Sequence, residues 1–118
     1  MLIGLMILME LEFLIICSVE SNFNPQAVNG DAVGIAQIRP ICVDDVNKIL
    51  GEDVYSNEDR LDVNKSREIY WVYTTHYGGS TFEERARIWV GGPSGRGSDS
   101  YWKKVKETRN EYFRLGDN

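Results

Sequence analysis

The sequence predicts a mainly α domain of about five helices, with an irregular or short-stranded segment after the first. Three observations predict it. Apolar residues recur at helical spacing through most of the chain. Capping residues and Gly-rich stops bracket those stretches. Between Ser21 and Pro40 the periodicity gives way to Gly, Asn, Asp and Pro. At 118 residues, with 42% apolar and 26% charged side chains, the chain has ordinary globular composition and room for one core. Residues 1–118 therefore read as a single domain without repeats or an interdomain linker.

The first helix is expected over residues 2–20. Its opening, "MLIGLMILMELEFLIIC", lacks the cationic start and the small-residue cleavage site of a signal peptide. Glu10 and Glu12 interrupt the run before the ~18–20 apolar residues that a membrane span needs. Residues 1–11 are taken as an apolar extension of helix one, buried as its first part, by the domain itself or by a partner that covers it. Left exposed, such a strip invites association.

"PICVDDVNKILG" predicts a short helix from about Ile41 to Leu50, stopped by Gly51. Residues 53–61 form a polar connection. Asp62 is a candidate N-cap for a helix running to about Tyr77, ended by Gly78-Gly79. Thr81 with Glu84, or Ser80 with Glu83, makes a capping box that opens "FEERARIWV". Gly91-Gly92-Pro93 ends that helix, and "SGRGS" reads as a mobile loop. Ser98 or Asp99 caps a last helix carrying Tyr101, Trp102, Val105, Tyr112 and Phe113, closed by Gly116.

The net charge of −5 argues against general nucleic-acid binding. Charge is uneven: residues 1–63 hold three basic and eleven acidic side chains, residues 64–118 ten and seven. Arg96, Lys103, Lys104, Lys106 and Arg109 make either a positive surface for an anionic polymer or a solvated helix face. Cys17 and Cys42 are no disulfide framework; Cys17 reads as a core residue, and one bridge between the two stays open. One His, no CxxC and no EF-hand spacing leave metal ligation without support, and no cofactor is implied.

"FLIICSVESNFNP" carries an apolar run into one carboxylate. Phe13, Ile16, Cys17 and Glu20 share a helix face, and Leu14, Ile15 and Val19 cover the other sides. Glu20 falls in the last turn, where the helix dipole disfavours an anion, and apolar burial raises its pKa as well. Both effects favour a proton on Glu20 near neutral pH, as a general acid requires. A Glu that reaches solvent or pairs with an Arg is the other reading, and burial alone does not choose.

The following residues add a resemblance. "ESNFNPQAVNGDAVGIAQIRP" links Glu20-Ser21 to Asn24-Pro25-Gln26-Ala27, Gly34-Ile35-Ala36-Gln37 and Pro40. This resembles the catalytic signature of soluble lytic transglycosylases, a lysozyme-like family related to goose-type lysozyme. "DVNKSREIYWVY" and "ARIWVGGPSG…YWKKV" resemble later motifs of that family, so the similarity runs from about Glu12 to Lys106. The family's aromatic-Asn-Gly appears here as Trp89-Val90-Gly91-Gly92. Val90 can neither donate nor accept a hydrogen bond, so any contact made by that Asn is lost.

The resemblance implies cleavage of the β-1,4 bond between N-acetylmuramic acid and N-acetylglucosamine, at the bacterial cell wall. Glu20 is the implied general acid. The substrate's N-acetyl group steadies the anomeric carbon, and Glu20 then accepts the proton of the 6-hydroxyl to give a 1,6-anhydro product. The implied partners are peptidoglycan glycan strands. Ser21 is implied beside the acid or the N-acetyl group, with helix capping as its other role. Gln37 has an amide suited to sugar groups or to holding a turn. Tyr101 matches the family's late Tyr and is placed near the sugar or Glu20. Gly91 is counted with the substrate-binding residues. Gly34, Gly91 and Gly92 supply backbone freedom and close approach. Trp89 and Trp102 are expected in the core, and His76 is expected to be structural.

The motif holds no second acid; Asp31, eleven residues after Glu20, is the nearest candidate. It supports the alternative of a goose-type muramidase, which uses water. Val90 supports an inactive wall-binding protein that retains the groove. Export route, host and oligomeric state are not written in the chain. Delivery by a virion, release at lysis or trimming of the chain each fit the lack of a complete export signal.

Overall fold

The structure is a computed structural model that describes residues 2–116. It contains α1 (Leu2–Ser21), β1 (Val28–Asn29), β2 (Ala32–Val33), α2 (Pro40–Leu50), α3 (Val63–His76), α4 (Phe82–Gly91) and α5 (Asp99–Gly116). A 3₁₀ turn, Asn57–Leu61, interrupts the polar connection before α3. The strands form one antiparallel hairpin with Val28 opposite Val33 and Asn29 opposite Ala32. No helix among the described residues is long and apolar enough to cross a membrane.

The helix ends follow local chemistry. Gly51, at φ +79°, closes α2 with its N–H on the Asn47 and Lys48 carbonyls. The Asp62 carboxylate accepts from Lys65 N at the start of α3. Thr81 and Glu84 make the reciprocal capping box of α4. Ser98, not Asp99, caps α5: its hydroxyl accepts from Tyr101 N at 3.1 Å. The loop before it is pinned at its end. Arg87 donates to the Gly97 carbonyl at 2.9 Å and pairs with Asp99 at 2.8 Å.

The second half of α1 runs through the core. Phe13, Ile15, Ile16 and Cys17 are almost wholly buried, against Ile69 and Tyr70 of α3, Val43 and Val46 of α2, and Val105 of α5. Each such aliphatic or aromatic side chain contributes about 1.5–3 kcal/mol on leaving water. Cys17 is the core residue expected, and both cysteines are free thiols.

The first half of α1 corrects an expectation. It is helical and continuous with the core segment, yet not buried: Ile3, Met6, Ile7 and Leu8 are each 60% exposed or more. Hydrophobicity alone reports a preference for burial, not whether the chain itself supplies a cover. His76, expected to be structural, is exposed and lies edge-on to Tyr77.

Between the exposed half and Glu20 lies a buried ion pair. Glu12, 7% exposed, receives two Arg85 hydrogen bonds at 2.7 Å and one from the Tyr70 hydroxyl at 2.7 Å. Arg85 also donates to the Gly79 carbonyl and lies over the Trp71 ring. The pair joins α1, α3 and α4, and both Glu12 oxygens are satisfied. Arg85→Met leaves Glu12 buried and uncompensated, and the expected cost is about 3–5 kcal/mol in urea unfolding. The double variant Glu12→Leu/Arg85→Met is expected to recover a large part of that loss, because the stranded charge is gone.

Gly34 makes the tightest backbone approach. A Cβ there would lie 1.8 Å from the Arg60 carbonyl oxygen, and its φ is +89°. The turn therefore seats directly on the 3₁₀ segment. Gly34→Ala is expected to lower the thermal midpoint markedly, whereas Gly30→Ala, which meets no atom within 4 Å, carries only the strain of its positive φ.

Candidate active site

Glu20 owes its place to the way α1 stops. Asn22 and Phe23 turn left-handed, at φ +54° and +64°. Their N–H groups fold back on the Ser18 and Cys17 carbonyls, at 3.0 and 3.4 Å. The chain thus leaves the core one residue after Glu20-Ser21. Ser21 locks this corner. Its Oγ lies 2.7 Å from the Ile35 carbonyl and 3.3 Å from that of Cys17, and it accepts from Asn24 N. The hydroxyl thereby ties the end of α1 to the Gly34–Gln37 turn.

The hairpin brings that turn round. Val33 and Ile38 exchange both backbone hydrogen bonds, closing a loop over Gly34 to Gln37. Gln37 sits at φ +55°, and its Nε2 donates to the Gly34 and Ala27 carbonyls at 2.9 and 3.3 Å. Its Oε1 accepts from Asn29 Nδ2 at 2.7 Å. The Gln37 amide is therefore a brace for the turn, while its side chain also borders the cleft.

The opposite wall comes from the end of α4, and α5 reaches Glu20 from behind it. Tyr101 lies in the first turn of α5, and its hydroxyl donates to Glu20 Oε2 at 2.7 Å. Trp89 does two jobs: it packs edge-to-face on Tyr70 and Tyr73, and it borders the cleft. Its indole N–H lies 3.3 Å from the Ala36 carbonyl. Trp102 stays with the core, against Phe82 and under Arg109. Gly91 ends α4 where a Cβ would meet Gly97 N at 2.5 Å, so the loop after α4 lies directly on it.

These walls enclose a cleft of about 460 Å³. Glu20, Gln37, Trp89, Val90, Gly91 and Gly92 all border it. So do Asn29, Arg39, Ile41, Cys42 and Tyr73, which the motifs did not single out. Cys42 is no nucleophile near neutral pH, because burial pushes its thiol up to about 12. Among the described residues that border the cleft, Glu20 is the one carboxylate and Arg39 the one cation. Asp31 stands in the hairpin turn, exposed, 3.5 Å from Arg39 Nε, and does not border the cleft. No group of three or more His, Cys, Asp or Glu residues suited to a metal occurs among the described residues.

Burial raises the Glu20 pKa above the ordinary carboxylate range; the Tyr101 hydrogen bond and the charges of Lys104 and Arg39 oppose it. The outcome is a proton held more tightly than in water, by a group that still has a donor ready for its anion. Tyr101 itself is driven far above the usual phenol range by burial and by the Glu20 charge, so it remains a donor. Ser21, Gln37 and Tyr101 thus gather round Glu20 and its turn, while Asp31 stays outside.

No curated protein and no solved structure gave a match. A family model did: the transglycosylase SLT domain matches residues 4–112, nearly the whole chain. The helical architecture, with a two-stranded hairpin directly after the Glu-bearing helix, accords with a lysozyme-like fold. This chain belongs to the transglycosylase SLT family, whose activity is of the peptidoglycan-cleaving, lytic transglycosylase type.

Proposed function

We propose that the protein is a peptidoglycan lytic transglycosylase that uses Glu20 first as acid and then as base. The observation that carries this reading is the part-buried hydrogen bond from Tyr101 to Glu20, the one carboxylate among the described residues that border the cleft. A glycosidase with two carboxylates needs both beside the scissile bond. A single acid fits a route in which the substrate supplies the second group.

In the first step, protonated Glu20 donates to the glycosidic oxygen. The bond from that oxygen to the muramic acid C1 breaks, and N-acetylglucosamine leaves. The acetamido oxygen of the muramic acid stabilises C1. The ionised Glu20, steadied by the Tyr101 hydroxyl, then removes the proton from O6. O6 bonds to C1, which gives the 1,6-anhydro ring and returns the proton to Glu20. A raised pKa serves the first half and the Tyr101 donor the second. Gln37 and Gly91 would border the bound sugars, and Ser21 would act by holding the turn.

Digestion of purified sacculi followed by mass analysis of the muropeptides tests the proposal. The wild type is expected to release 1,6-anhydro ends, and Glu20→Gln to lose about 10²–10⁴-fold in rate. Reducing ends would replace this reading with hydrolysis. Binding without release by the wild type would leave a wall-binding protein, for which exposed Val90 at the cleft border is the pertinent feature.

The pH dependence has a defined sign. Glu20 must start protonated, so activity is expected to fall as pH rises through its raised pKa. Tyr101→Phe removes the donor that favours the anion, so that falling limb moves to higher pH while kcat drops. Glu20 also makes the fold less stable at high pH. Its folded pKa exceeds its unfolded one, so its contribution is fullest below the unfolded value and is lost as pH rises through the folded value. Glu20→Gln is therefore expected to raise the thermal midpoint above that range and to change it little in acid.

A further inference from the structure

Arg39 is poorly explained by the helix it begins. Its carbonyl accepts from Cys42 N and Val43 N at 3.0 and 3.3 Å, which makes it the N-cap of α2, with Pro40 following. Its side chain makes no capping hydrogen bond. Ser, Thr, Asp and Asn are the residues that stabilise this position, and a cation there faces the positive end of the helix dipole. A guanidinium at this place opposes the local preference without capping anything.

Nor does an internal partner account for it. The ion pair with Asp31 is 3.5 Å long, with the two side chains 68% and 66% exposed. An exposed pair of that kind is worth about 0–1 kcal/mol. The guanidinium can exchange Asp31 for a better acceptor at little cost. It stands at the border of the Glu20 cleft, where it is the one cation among the described bordering residues.

We propose that Arg39 is a specificity residue that binds a carboxylate carried by the glycan in the Glu20 cleft. The proposal rests on the function proposed above and names what that substrate must carry. Muramic acid differs from glucosamine by a lactyl ether that ends in a carboxyl group. In intact peptidoglycan that carboxyl is amidated by a peptide, which brings carboxylates of its own. Either source presents the planar, two-oxygen acceptor that a guanidinium fork matches. Neutral β-1,4-linked N-acetylglucosamine oligomers present none. Arg39 thereby distinguishes wall glycan from chitin-like glycan beside the acid, without touching the bond that breaks.

Calorimetric titration in a Glu20→Gln background tests this with no turnover. Three glycans serve as probes: a neutral N-acetylglucosamine oligomer, a peptide-free muramyl strand with its lactyl carboxylate free, and a peptide-bearing strand. At least one carboxylate-bearing strand is expected to bind about tenfold more tightly than the neutral oligomer, and the preference to shrink with salt. Addition of Arg39→Gln should remove that preference while shifting neutral-oligomer affinity by no more than about twofold. Arg39→Lys should keep part of it, as a point charge without the fork. Preference for the peptide-free strand assigns the lactyl carboxylate, and preference for the peptide-bearing strand alone assigns the stem. A preference that survives Arg39→Gln, or one absent from the start, overturns the proposal while leaving glycan recognition intact. Failure to bind any of the three glycans overturns the proposal together with the function beneath it.

Discussion

The buried pair between Glu12 and Arg85 is the constraint on which the rest of the molecule depends. Its partners come from α1, α3 and α4, and each hydrogen bond is 2.7 Å long. An ion pair so far from water seldom adds much net stability. What it adds is register. An apolar helix slides and rotates against apolar neighbours at modest cost, because one aliphatic contact resembles another. A carboxylate that must meet a guanidinium and a phenol has one acceptable depth and one acceptable rotation. Glu20 lies eight residues further along the same helix, just over two turns, so the pair at Glu12 also sets where Glu20 points.

Around Glu20 the fold holds opposing influences close together. Burial retains the proton, whereas Tyr101, Lys104 and Arg39 favour its release. A group pulled only one way would be a good acid or a good base. Balanced influences let one side chain take both parts in turn. The two sides of that balance come from different regions. The apolar surroundings belong to the core that α1 crosses, and the hydroxyl comes from the start of α5, held by the Ser98 cap and the Arg87 clamp. The site is an agreement between the core and a surface loop.

Much of this was legible in the chain, for local reasons. The Asp62 cap, the Thr81–Glu84 box and the Gly51 stop are decided within a few residues, and the helices they bound were foreseen. Glu20 stood out because an apolar run ended on it, and its linked motif supplied the turn. Glu12 did not stand out, since its meaning lies in Arg85, 73 residues away, and no periodicity connects them. The burial expected of the first half of α1 failed from Ile3 to Met9 for a related reason: apolar character says what a helix prefers to touch, and the described residues supply no cover. Gln37 borders the cleft, yet its amide is occupied by the turn and by Asn29. A motif identifies a position and leaves open which atoms are already engaged. Arg39 carried a signal that was available, a cation at an N-cap where capping chemistry favours small polar residues.

The unbroken course of α1 has a mechanical meaning. From Leu2 to Glu20 is about 27 Å at the rise of an α-helix, with no proline or turn between. One end is bare and apolar, and the other carries the acid. The helix is thus a shaft with a grip at one end and a tool at the other. Any surface that took hold of Ile3 to Met9 would also choose the direction in which the cleft meets a glycan strand. Anchorage and aim would then be one and the same event.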